Sequence, residues 1–157
     1  MAMARLILLF ALCVAPAPLV YGQPFHIQGR VYCDTCRFGF ETEAITHIEA
    51  ATVELQCINR TNLQVMYSAK AKTDSKGTYD FVVEKDQQDQ MCNCNLVHSP
   101  EEECREESPG RNKATALLTA DNGVVNKFHK VNSMGFFKKQ ALPICKTLRA
   151  KYFASEE

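Results

Sequence analysis

Hydrophobic and polar positions alternate along much of this chain with a period of two. Phe25, Ile27, Gly29 and Val31 alternate with His26, Gln28, Arg30 and Tyr32. Successive side chains of an extended backbone point to opposite faces, so the run predicts a half-buried β-strand. A polar stretch over residues 41–49 lacks clear periodicity. Strand patterning returns from Ala51 to Ile58, where Val53, Leu55 and Cys57 share one face and Thr52, Glu54 and Gln56 the other. Leu63, Val65, Tyr67, Ala69 and Ala71 repeat it, as do Tyr79, Phe81 and Val83. Met91 to Val97, Lys113 to Thr119 and Val124 to Val131 complete the series.

The segments between these runs carry turn chemistry. Asp74-Ser75-Lys76-Gly77 reads as a turn in which Gly77 supplies a positive φ. Asp121-Asn122-Gly123 predicts a hairpin between the two runs that flank it. Glu84 to Gln90 and Ser99 to Asn112 are polar loops, the second acidic and containing Cys104 and Pro109. After Pro143 the spacing of Cys145, Leu148 and Tyr152 allows one or two helical turns. Short alternating strands joined by such turns predict an all-β fold, a single β-sandwich or closed β-barrel of about seven strands, with a short C-terminal helical turn.

The N-terminus departs from this pattern. Arg5, an apolar run from Leu6 to Val14 and small residues up to Gly22 read as a secretory signal peptide over residues 1–22. The apolar run is about half of the roughly 20 residues a membrane span needs. Val20 and Gly22 suit the positions before the cut, making Gln23 the expected mature start and residues 23–157 one domain. Eighteen Lys and Arg balance eighteen Asp and Glu over the chain, and only Arg5 leaves with the leader. A near-neutral protein has no long-range attraction to nucleic acid or anionic lipid, so neither is expected as a partner, and a monomer is expected.

Export changes how the cysteines are read. Cys13 leaves with the leader; Cys33, Cys36, Cys57, Cys92, Cys94, Cys104 and Cys145 remain. In an oxidising compartment they predict a disulfide framework with one thiol left over, although spacing alone cannot choose the connectivity. A redox role for Cys33-x-x-Cys36 needs a helix opening at the first cysteine, and Arg37-Phe38-Gly39-Phe40 does not open one. A zinc site from Cys33, Cys36, Cys92, Cys94 or His98 lacks a convincing second pair of ligands. His26, His47, His98 and His129 are scattered, without a nucleophile motif beside them. Glu101–Glu103 and Glu106-Glu107 lack the alternating oxygen pattern of a calcium loop. Lys138-Lys139 is too small a basic cluster to imply polyanion binding by itself. No catalytic residue, metal site or cofactor is expected. Asn59-Arg60-Thr61 is an N-glycosylation sequon, predicted on an exposed turn between two strands.

The stretch Gln28 to Arg37, with its C-x-x-C, resembles the signature of the pollen Ole e I-like family, secreted plant proteins related to the major olive-pollen allergen. The tail Gly135 to Pro143 is similar to that family's C-terminal segment. Ala51 to Leu55 and Thr73 to Phe81, with its D-x-x-G-x-Y turn, look more loosely like a transthyretin-type β-sandwich. The resemblance implies three disulfides, Cys33 with Cys104, Cys36 with Cys145 and Cys57 with Cys92. Cys94 then stays an unpaired thiol, although Cys92 and Cys94 share a strand face and either is placed to reach Cys57. It also implies a non-enzymatic, extracellular recognition protein acting in pollen hydration, germination or tube growth, with a cell-surface receptor ectodomain or a cell-wall component as partner. A wall-structural or carbohydrate-associated module and a small-molecule carrier are the alternative expectations.

Overall fold

The structure, a computed structural model, describes residues 24–87, 90–119 and 128–154. The leader expected over residues 1–22, the cut before residue 23 and the turn expected at residues 121–123 lie outside them. Ten strands and one helix follow in order: β1 (Phe25–Asp34), β2 (Thr46–His47), β3 (Thr52–Asn59), β4 (Val65–Lys72), β5 (Thr78–Val83), β6 (Gln90–His98), β7 (Glu106–Glu107), β8 (Lys113–Ala116), β9 (Phe128–Lys130), β10 (Met134–Phe137) and α1 (Cys145–Phe153). They form two sheets. β4-β3-β6-β8 is antiparallel, and the second sheet has six strands, with β2, β5, β9 and β10 pairing β1 and β7 pairing β10. Neither sheet closes on itself, which decides for the sandwich over the barrel.

β1 changes neighbours halfway along its length. Residues Phe25 to Arg30 pair antiparallel with β5, and His26 to Gln28 pair parallel with β9 on the other side. From Val31 onward the neighbours are β10, parallel, and β2, antiparallel. Period-two alternation puts Phe25, Ile27, Val31 and Cys33 into the core, where they meet Val53, Leu55, Cys57 and Cys94 of the facing sheet and Tyr79 and Phe81 of β5. These side chains fill the space between the sheets. The last residues of β1, Tyr32 to Asp34, are buried on both faces: Tyr32 lies against Gly135 and near Arg111, Cys33 is bonded to Cys104, and the loop to Gly39 wraps the Asp34 carboxylate.

The turn after β4 forms as its residues predict. Asp74 Oδ1 accepts the backbone N–H groups of Lys76 and Thr78, both at 2.8 Å, and Gly77 has φ of 69°. A Cβ on Gly77 would also lie 2.5 Å from the Val31 carbonyl oxygen. One expectation needs correction. Ten strands among the described residues replace about seven, since short pieces such as β2 and β7 are too brief to show a period in sequence. Of the described residues on either side of the expected hairpin, β8 joins β6 in one sheet and β9 joins β1 in the other.

Candidate functional site

Two of the three disulfides converge on the end of β1. Cys33 is bonded to Cys104, 71 positions away, and Cys36 to Cys145, 109 positions away. The first bridge fixes the acidic loop to β1, and the second fixes the start of α1. A third bridge, Cys57 to Cys92, spans directly paired residues of β3 and β6. Cys94 lies opposite Leu55 in that register and is left as a buried free thiol. Each bridge alone is worth about 4–5 kcal/mol in the chain-entropy estimate, and the overlap of their loops makes the three non-additive.

The residues between and after the C-x-x-C cysteines explain why the loop holds its shape. Asp34 is fully buried, and its carboxylate accepts the Cys36 N–H at 3.1 Å and the Gly39 N–H at 2.7 Å. Thr35 donates through Oγ1 to the Ala44 carbonyl at 2.8 Å, and its own carbonyl accepts the Leu142 N–H. Arg37, at φ 58°, turns its guanidinium back across the tail. It forms a bidentate pair with Glu106 at 2.7 and 2.8 Å, donates to the Lys138 carbonyl at 2.7 Å and stacks over the Phe137 ring at 4.8 Å. That planar, forked contact is arginine chemistry and not a generic positive charge. The pairing holds the Glu106 carboxyl below the usual carboxylate range.

Two glycines of the recognisable segments are explained by rings. Gly29 is paired with Tyr79, and a Cβ there would meet the Tyr79 hydroxyl at 2.3 Å. Gly135 is paired with Tyr32, and a Cβ there would meet that ring at 2.7 Å. The buried Tyr79 hydroxyl forms no well-aligned hydrogen bond, and the Cys94 thiol of the facing sheet is its polar neighbour. Burial pushes the Tyr79 phenol up and the Cys94 thiol up to about 11. Burial likewise pushes Tyr32 up to about 12. Cys94 is thus a core residue beneath Tyr79.

Other sequence candidates stay apart. His26 lies 3.6 Å from Asp80 on the outer face of β1, while His47, His98 and His129 sit on three other strands. No cluster of three or more His, Cys, Asp or Glu suited to a metal ion occurs among the described residues, and no described helix is long and apolar enough to cross a membrane. Asn59 ends β3, and its Oδ1 accepts the N–H groups of Thr61 and Asn62 at 2.8 and 3.2 Å. Sequence reasoning missed the Asp34 and Arg37 networks. It also missed an aromatic cluster in which Phe38 and Phe40 meet Phe153 and Tyr152 at 5.3 and 5.5 Å. Aspartate in a loop beside cysteine is a turn signal that points to the first; nothing local foretells contacts across a hundred positions.

Two open grooves mark the surface. One, about 440 Å³, lies between Phe38, Leu142 and Arg149 beside the Cys36–Cys145 bridge. The other, about 420 Å³, lies where β9 gives way to β10 along β1.

A two-sheet sandwich whose first strand is cross-linked to a distant loop and to the C-terminal helix defines a rigid, disulfide-stapled scaffold. Residues 23–153 match the family described as pollen protein Ole e 1 like, and the chain belongs to that family. It is 46% identical over 150 residues to Protein DOWNSTREAM OF FLC of Arabidopsis thaliana, covering 94% of this chain and 92% of that one. It is 41% identical over 124 residues to pollen allergen Sal k 5.0101 of Kali turgidum (77% and 82% covered) and 36% over 144 residues to anther-specific protein LAT52 of Solanum lycopersicum (90% and 89%). The crystal structure of the major plantain pollen allergen Pla l 1 superposes with a TM-score of 0.68 at 27% identity, over 76% of this chain and 98% of that one.

Proposed function

We propose that this chain is a secreted, non-enzymatic recognition protein that acts in pollen hydration, germination or tube growth by binding a cell-surface receptor ectodomain or a cell-wall component. The supporting observation is the clamp at the end of β1. Two bridges and the Asp34 and Arg37 networks hold the first strand, acidic loop and tail in one arrangement. A pre-ordered surface loses little conformational entropy on binding, so rigidity of this kind favours recognition. Pollen and anther relatives support a role in reproductive tissue, and the expected leader over residues 1–22 and the sequon at Asn59 support an exported glycoprotein. The carrier alternative needs an apolar hollow between the sheets, and that space is occupied by Tyr79, Leu55 and their neighbours. The test is affinity capture from pollen or plant-surface extracts with the glycosylated protein. Recovery of a receptor ectodomain or wall polymer is expected; recovery of neither, while a positive control binds, refutes the reading.

A further inference from the structure

The groove beside β1 has a chemistry that the scaffold does not use. At its floor, Gln28 and Arg30 point outward from β1, because the alternation that buries Ile27, Gly29 and Val31 leaves them on the solvent side. Lys130 faces Gln28 across the parallel pairing with β9, and Thr78 faces Arg30 across the pairing with β5. Lys76, from the turn, and Ser133, from the link to β10, complete the walls. The groove exists because β9 ends at Lys130 and β10 begins at Met134, which leaves Arg30 without a flanking strand on that side.

Three cations therefore share one shallow cleft, and among the described residues no carboxylate lies within ion-pairing distance of any of them. The single acid in the lining, Asp74, accepts the Lys76 and Thr78 N–H groups of its own turn; Lys76 and Arg30 also stabilise its charge from beyond ion-pairing distance, so one carboxylate partly offsets three cations and the cleft keeps a net positive charge. Arg37, Lys139 and Lys151, by contrast, are each paired with a glutamate. The side chains of Gln28, Thr78 and Ser133 make no hydrogen bond to other described residues, so their donors and acceptors are available. The cleft is lined mostly by polar groups, with Val131 and Gly29 its apolar members and no aromatic side chain among the lining residues. A protein partner is held by buried aromatic or aliphatic anchors, and a lipid needs apolar cover; neither finds them here. A ligand carrying carboxylates for the cations and hydroxyls for the amide and alcohols fits both halves of this lining.

We propose that this groove binds a carboxylated oligosaccharide, with uronate groups on Arg30, Lys76 and Lys130 and sugar hydroxyls on Gln28, Thr78 and Ser133. It rests on the recognition reading above and specifies a wall component of acidic sugar. The open ends suit a chain running along the cleft. The whole chain has no net charge and loses only Arg5 with the expected leader, so attraction is local to the groove.

The test is calorimetric titration of the full mature chain with a short oligomer of galacturonic acid, its neutral methyl ester, a sulfated oligosaccharide and polyglutamate. The acid oligomer is expected to bind, the methyl ester not, and affinity to fall as ionic strength rises from about 0.01 M to about 0.15 M. The variant Arg30→Gln/Lys76→Gln/Lys130→Gln, all at exposed positions, should fold normally and weaken binding about tenfold or more. The charge-matched control Lys113→Gln/Lys146→Gln/Arg149→Gln should not. Equal binding of the methyl ester, preference for the sulfated sugar or polyglutamate, or equal loss in both triple variants overturns the assignment. If the groove variant still captures the native partner from plant surfaces, the groove assignment falls while the recognition reading stands.

Discussion

Replacing Gly29 by alanine tests whether ring packing fixes the first strand. The added Cβ would lie 2.3 Å from the Tyr79 Oη, 2.5 Å from Cζ and 2.9 Å from Cε1. Ordinary contact between such atoms is about 3.5–4 Å, so the ring must move by about 1 Å. It has little room, being 1% exposed and packed edge-on against Phe81 at 5.7 Å. Overpacking of this kind costs about 1–3 kcal/mol; with the ring held on both sides, about 3 kcal/mol is expected. For a domain of this size that lowers Tm by about 10 °C. Urea and thermal unfolding followed by circular dichroism measure it. In a Tyr79→Val background the ring is gone, and Gly29→Ala should turn from harmful to stabilising by about 0.5–1 kcal/mol, because alanine loses less backbone entropy than glycine. A double-mutant cycle then gives a coupling of about 3 kcal/mol or more. An equal loss in both backgrounds would show that backbone conformation, and not the Tyr79 ring, demands glycine, and would refute the reasoning.

Four further outcomes follow from the same structure. The buried Cys94 and Tyr32 stay neutral in the fold to about 11 and about 12, while the unfolded chain ionises earlier, near about 8.5 for thiol and about 10 for phenol. Their contribution is therefore complete below about pH 8 and lost as pH climbs toward the folded values. Denaturant midpoints should fall steadily above about pH 9, and Cys94→Ala should flatten the thiol's part of that slope. On the acid side, Glu106 and Asp74 are held below the ordinary carboxylate range, Glu106 by Arg37 and Asp74 first by the Thr78 N–H. Their contribution is present at neutral pH and disappears as pH falls through that range, and Arg37→Ala should remove the Glu106 part in an acid titration of Tm. Removing the Cys36–Cys145 bridge as a double serine variant should cost about 2–5 kcal/mol, with amide exchange in α1 speeding up well before that of β3 and β6. Asn59→Gln should abolish the mass loss seen on endoglycosidase treatment of secreted protein; an unchanged mass loss would place the glycan elsewhere.

The legible parts of this fold are those whose information is local. β3, β4 and β5 carry a two-residue period and β1 carries one as far as Val31, and each formed close to the predicted ends. The Asp74 turn was readable because its side chain bonds its own backbone. Illegible were the contacts that span the chain. Nothing near Arg37 announces Glu106, nothing near Gly29 announces Tyr79, and nothing in β1 announces its parallel pairing with β9 and β10. β10 is only four residues long and was hidden in a tail noticed for its resemblance alone. The groove was invisible for a related reason: Arg30, Lys76 and Lys130 are isolated charges in sequence and meet only because β1 exchanges its neighbours between them.

The recognisable stretch from Gln28 to Arg37 can now be divided by the direction in which its side chains point. Gly29 gives space to Tyr79, Val31 fills the core, Tyr32 covers Gly135, and Cys33 and Cys36 anchor the loop and the helix. Asp34 and Thr35 satisfy the loop's backbone, while Arg37 grips Glu106 and the tail. Packing, crosslinking and hydrogen bonding account for each of these residues, with no appeal to a ligand. Gln28 and Arg30 are different. They face outward, bond nothing through their side chains among the described residues, and could be exchanged for other polar residues at little cost to the sandwich. A motif built for stability alone needs no particular side chain at those two positions. They are also the two that form the groove floor beside Lys130 and Thr78, which is where the proposed acidic-sugar contact uses them.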